Sequence, residues 1–174
     1  ASAFNIKSGA TVKQNASIAA TTVTNAGTLN VGSAKQTITG NYVQTGTLAL
    51  TITDAASGSL AVSGTANVNG KIAPDTKTSR TLAITPGMSF TVLESTGALT
   101  VASGISVDGT NTIEKFAISQ SGNLLKITRE SGLSTDAPVK KALDAIKSGA
   151  VSTGGSESVA ATTVALEKAL TTLV

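Results

Sequence analysis

The sequence predicts an all-β chain: a right-handed parallel β-helix, or solenoid, with a hairpin-rich C-terminal cap, followed by a short helical tail. Three observations lead there. Short runs in which apolar residues alternate with Thr, Ser or Asn recur from Ala1 to about Ile127, each bounded by Gly, Asn or Asp-Gly. The phrase Gly-Thr-Leu-x-aliphatic begins at Gly27 and again at Gly46, a step of nineteen residues, and a variant, Gly-Ser-Leu-Ala-Val, begins at Gly58. Self-similarity at about twenty residues is what stacked coils require, because each must present the same inward positions to its neighbours. Finally, Trp is absent and there are only one Tyr and three Phe, so the interior is built from Val, Ile, Leu and Ala. That suits the narrow inside of a solenoid better than the roughly 10 Å gap between the sheets of a sandwich, the rival architecture.

The regular part covers residues 1–73. Its clearest strand is Thr47-Leu48-Ala49-Leu50-Thr51-Ile52-Thr53, in which Leu48, Leu50 and Ile52 share one face and Thr and Ala the other. Similar runs occur at Thr28-Leu29-Asn30-Val31 and Ser59-Leu60-Ala61-Val62. Residues 74–80, with Pro74 and several polar side chains, read as a loop. Beyond it the rhythm becomes irregular, and 74–132 reads as the cap. Strands are expected around Leu82 to Ile84, Phe90 to Leu93, Phe116 to Ile118 and Leu124 to Ile127, with turns at Pro86-Gly87 and Asp108-Gly109. A cap is needed because the last coil would otherwise expose an unpaired edge. After Ser131-Gly132 the period changes, and 133–174 reads as helical. Thr135 or Asp136 caps a first helix with Val139, Leu143 and Ile146 on one face, and Ser156 caps a second with Val159, Thr163, Leu166, Leu170 and Leu173 in a stripe.

Composition narrows the function. The 174 residues are 40% hydrophobic but only 13% charged, with net charge +3 and mean hydropathy +0.22, a combination that folds rather than stays disordered. The pI of about 9.3 does not indicate nucleic acid, because the basic residues are scattered and only Lys140 and Lys141 are adjacent. There is no cysteine, hence no disulfide framework, which suits a chain exported unfolded through an oxidising compartment. Ala1 to Ala10 has neither the basic region nor the apolar run of a signal peptide, so the chain reads as a mature or excised piece of something longer.

Residues suited to catalysis or metal binding are sparse in the sequence. Histidine is absent, which removes the commonest general base and zinc ligand. The ten carboxylates, Asp54, Asp75, Glu94, Asp108, Glu114, Glu130, Asp136, Asp144, Glu157 and Glu167, show no motif spacing. Lys7-Ser8 and Lys147-Ser148 are adjacent pairs that would point to opposite faces of a strand, and no phosphate-binding loop or calcium repeat occurs. Asn15-Ala16-Ser17 matches a glycosylation sequon but reads as a chance match in an Asn- and Ser-rich chain. The expectation is a non-enzymatic chain with no catalytic, metal or cofactor residues and no cofactor.

The stretch Gly40-Asn41-Tyr42-Val43-Gln44-Thr45-Gly46-Thr47-Leu48-Ala49-Leu50-Thr51-Ile52, followed by Ser59 to Ile72, resembles the terminal passenger coils of bacterial type V autotransporters. Tyr42, Gln44, Leu48, Leu50, Ile52, Leu60, Val62, Gly64, Ala66 and Gly70 match the family's pattern, whereas Val68 stands where Leu is usual. Gly87 to Leu93 and Gly122 to Arg129 resemble two later strands of the same region, in the same order, although a Gly-x-Phe expected between them is not evident around Thr100 to Gly104. The resemblance covers residues 27–130. It implies the passenger-junction or autochaperone region, which leaves the translocating barrel first, folds on the surface of a Gram-negative cell and templates the coils that follow. The implied partners are its own translocator β-barrel and upstream passenger coils. The residues expected to carry the role are structural: Leu48, Leu50, Ile52, Leu60 and Val62 in the coils, and Phe90, Val92, Phe116, Leu125 and Ile127 in the cap. An adhesive or self-associating surface that contacts host or bacterial cells is a second expectation, and a polysaccharide-processing β-helix a third.

Overall fold

The computed structural model describes residues 2–53, 57–76, 84, 86–107 and 114–133. The predicted helical tail beyond Leu133, the strand residues Leu82 and Ala83 and the Asp108-Gly109 turn lie outside these residues. Among the described residues there is no helix, and the fold is all-β with mostly parallel strands.

Fourteen strands are described. Nine form one sheet: β1 (Ala3–Ile6), β3 (Ile18–Asn25), β5 (Lys35–Gln44), β7 (Ser59–Val62), β8 (Ala66–Val68), β10 (Ser89–Ser95), β11 (Leu99–Val101), β13 (Glu114–Ser121) and β14 (Leu124–Leu133). Five form the other: β2 (Thr11–Lys13), β4 (Thr28–Asn30), β6 (Thr47–Thr51), β9 (Lys71–Asp75) and β12 (Ser106–Val107). The chain passes back and forth between the sheets, and residues from both join one apolar cluster. Period-2 alternation sets which residues enter it. Leu48 and Leu50 on β6 are buried between half-exposed Thr47, Ala49 and Thr51, and Leu60 and Val62 on β7 alternate with Ser59 and Ala61 in the same way.

The repeat seen in the sequence is a strand register. Thr28 stands opposite Thr47 and Leu29 opposite Leu48 in the smaller sheet, while Thr22, Val23 and Thr24 stand opposite Asn41, Tyr42 and Val43 in the larger. The step then lengthens, Thr47 pairing with Lys71 and Tyr42 with Ala66. The phrase at Gly58 therefore departs from the expected repeat: Ser59 to Val62 lie not over Thr47 but in the other sheet, opposite Lys35 to Ile38. Alternation marks a strand's inward face without saying which sheet the strand joins.

The predicted loop at 74–80 begins later than expected, because Pro74 and Asp75 belong to β9, opposite Leu50 and Thr51. Proline fits there for a specific reason. The carbonyl of Asp75 accepts from Ile52 N–H at 3.0 Å, so Asp75 faces β6 and Pro74 faces the other way, where β12 pairs only with Lys71 and Ile72. Among the described residues, the missing N–H interrupts no ladder.

At one end the pattern changes hand of pairing. β10 runs parallel to β7 on one side and antiparallel to β14 on the other, and β13 and β14 form a hairpin across the two-residue Gly122-Asn123 turn, with Gly122 at φ +58. Between Thr91 and Leu93, β10 carries one residue more than β14, a bulge that turns Val92 and Leu93 inward together. At the opposite edges, β1 pairs with β3 and β2 with β4, and Phe4 of β1 is 36% exposed.

Candidate functional site

Most of the polar groups that the fold buries lie at or just beyond strand ends. At each of four places, a polar side chain donates to the carbonyl two residues further on: Gln14 Nε2 to Ala16 at 3.1 Å, Gln44 Nε2 to Gly46 at 3.4 Å, Ser95 Oγ to Gly97 at 2.8 Å and Gln120 Nε2 to Gly122 at 3.0 Å. Such a bond satisfies a carbonyl where the chain leaves a sheet ladder. Gln14, Gln44 and Ser95 are buried, whereas Gln120 is exposed.

One of these corners is a network. Asn25 and Gln44 occupy the same register position on β3 and β5. Asn25 Nδ2 donates to the Tyr42 hydroxyl at 3.1 Å and to the carbonyl of Thr47 at 2.8 Å, and the Tyr42 hydroxyl donates to Gln44 Oε1 at 3.0 Å. Gln44 Nε2 reaches the carbonyls of Asn69 and Lys71, each at 3.0 Å. Three successive turns, at Gly27, Gly46 and Gly70, are thus tied together from inside. Burial of Tyr42 pushes its phenol well above the usual tyrosine range, and the hydrogen bond from Asn25 opposes that rise only in part.

Outside the same corner the backbones are in contact. Thr47 N–H donates to the carbonyl of Gly27 at 2.8 Å and Lys71 N–H to that of Gly46 at 3.0 Å, and a methyl group at Gly46 would overlap the Gly27 carbonyl.

No protein-family model, curated protein or solved structure matches this chain.

The residues expected to carry a structural role lie as follows. Leu48, Leu50, Ile52, Leu60 and Val62 are buried in the cluster between the sheets. Val92, Leu125, Ile127 and Phe116 are buried where β10 meets the β13–β14 hairpin, and half-buried Phe90 meets Phe116 edge-to-face at 6.5 Å between ring centroids. Arg129 of β14 is also buried, opposite Phe116, and its backbone N–H donates to the carbonyl of Met88 at 2.8 Å. Asn25 was not singled out by sequence reasoning. Its signal was present in the recurrence of an amide two residues before Gly-Thr-Leu, Asn25-Ala26-Gly27 and Gln44-Thr45-Gly46.

On the outer face of the larger sheet, Thr37, Ser63, Glu94, Ser95 and Thr96 border an open groove of about 300 Å³. Among the described residues, Glu94 is the one carboxylate on its lining, and it is ion-paired with Lys35. Two carboxylates flanking one bond, the arrangement that glycoside hydrolysis uses, are not assembled in this groove. Among the described residues, no three acidic side chains converge as metal ligands would.

Proposed function

We propose that the chain is a right-handed parallel β-helix segment with no catalytic role, which serves as the capped folding template of an exported surface protein. The observation that carries this reading is the asymmetry of the larger sheet. One side ends in the antiparallel β13–β14 hairpin on β10, which breaks the parallel stacking, whereas β1 at the far edge pairs in parallel with β3 and leaves its outer ladder free among the described residues. Strand addition is directed to the β1 and β2 edges, and each new layer meets a register already set by its neighbour. In solenoid folding, stability grows by nearest-neighbour interfaces, so a terminal hairpin formed from local contacts reduces the cost of forming the first layer. The resemblance to autotransporter passenger junctions supports the setting: a Gram-negative cell surface, with the chain's own translocator barrel and upstream coils as partners.

The test is surface display of an attached passenger. Polar substitutions at Leu50, Val92 and Ile127, which are at most 1% exposed, are expected to abolish protease-resistant display while barrel insertion continues. Normal display of the triple variant overturns the reading.

A second reading, self-association, is favoured by the outer face of the smaller sheet, where Thr11, Thr28 and Thr47 stand in register across three strands. Sedimentation over a range of concentrations tests this reading, since a chain that stays monomeric throughout does not associate with itself.

A further inference from the structure

We propose that the Asn69-Gly70 turn is a self-modifying site, at which the folded chain deamidates Asn69 through a succinimide. The inference is independent of the folding-template reading. Asn69-Gly70 is the one Asn-Gly pair in the sequence, and it forms the turn between β8 and β9. Glycine leaves the backbone nitrogen open to approach, and Gly70 at φ +82 holds a conformation that a side chain would resist.

Three contacts assemble the reaction. The Gly70 N–H donates to Asn69 Oδ1 at 2.7 Å, which brings Cγ, one bond away, against the nitrogen that must attack it. The carbonyl of Asn69, the other end of the same peptide group, accepts from Gln44 Nε2 at 3.0 Å. A donor on that oxygen draws electron density from the amide and makes its N–H easier to remove. Gln44 is itself fixed, since Tyr42 holds its Oε1 and its backbone carbonyl accepts from Asn69 N–H at 3.0 Å. Asn69 is exposed and Gly70 half-exposed, so hydroxide and water can reach them.

Asn30 and Asn41 lack this arrangement. Asn30 Oδ1 accepts from Gly32, two residues on and the wrong nitrogen for a five-membered ring. Asn41 Oδ1 is occupied by the amide and hydroxyl of Thr65, while the next nitrogen, that of Tyr42, is turned to the carbonyl of Thr65.

In the reaction, solvent base removes the Gly70 amide proton and the nitrogen bonds to Asn69 Cγ. The tetrahedral carbon expels its amide nitrogen, which leaves as ammonia with a proton from water. Water then opens the ring. Addition at Cγ gives aspartate, and addition at the Asn69 main-chain carbonyl gives isoaspartate, whose backbone runs through Cβ and Cγ. Either product places a carboxylate beside Lys71 and lowers the formal net charge of +3 by one. The isoaspartate also lengthens a turn that already abuts the carbonyls of Thr45 and Gly46.

The experiment follows the intact chain by peptide mapping and mass spectrometry during incubation at neutral and mildly alkaline pH. The same chain in urea and a synthetic peptide spanning residues 64–75 are run beside it. Deamidation adds about 1 Da. The expected result is conversion at Asn69 several-fold faster in the folded chain than in urea or in the peptide, accelerated by alkali, with Asn30 and Asn41 unchanged. A folded-chain rate equal to or below that of the peptide overturns the proposal.

Discussion

The hydroxyl of Tyr42 donates to Oε1 of Gln44 at 3.0 Å in the interior, and this bond ties an aromatic side chain of the apolar cluster to the amide that spans two successive turns. Both residues are at most 1% exposed, so neither group can turn to water if the other is lost. Their relation fixes both side chains at the corner at Gly46.

Tyr42→Phe keeps the ring but removes the donor to Gln44 and one acceptor for Asn25. Leaving a buried acceptor without its donor is expected to cost about 1–3 kcal/mol, read as a lower urea midpoint at unchanged slope.

The same burial predicts an alkaline limit to stability. Tyrosine is neutral when protonated, and the folded chain keeps that proton at pH values where the unfolded chain releases it. Above the ordinary tyrosine value of 10.0 the unfolded state binds fewer protons than the native state. Stability is therefore intact below that value and falls as pH rises beyond it. Because Tyr42 is the only tyrosine, tyrosinate absorbance reports on it alone, and it is expected to appear together with the loss of β-structure rather than before it.

Gly46→Ala drives a methyl group into the carbonyl of Gly27, backbone against backbone, so relief requires the strands to part. A loss of about 1–3 kcal/mol is expected by thermal or urea unfolding. Gly104→Ala is the matched control: Gly104 is exposed, a methyl there meets nothing within 4 Å, and its stability should stay within about 0.5 kcal/mol of the parent.

Lys35 and Glu94 are paired on the outer face, but their side chains are 58% and 39% exposed. Lys35→Ala is expected to cost no more than about 1 kcal/mol, and the difference from the parent should shrink further in high salt.

What could be read in the sequence was what strand geometry makes local. Alternation identified the inward faces of Leu48, Leu50 and Ile52, and of Leu60 and Val62, because successive side chains of a strand must point to opposite sides. The recurrence from Gly27 to Gly46 carried the register itself, since turns of equal length bring equal positions together and Thr28 meets Thr47. Where the intervening chain lengthens, that link is lost. Nothing within Ser59 to Val62 states that its partner is Lys35 to Ile38 rather than Thr47 to Leu50, because the choice of sheet depends on the path of the residues between. The bulge at Val92, the fit of Pro74 in β9 and the bonds from Asn25 to Tyr42 and from Gln44 to Asn69 likewise join residues whose proximity is set by stacking. Periodicity determined the faces, and tertiary structure decided which face meets which, because hydrogen-bond partners across a parallel pair are chosen by the length and course of the connection between them.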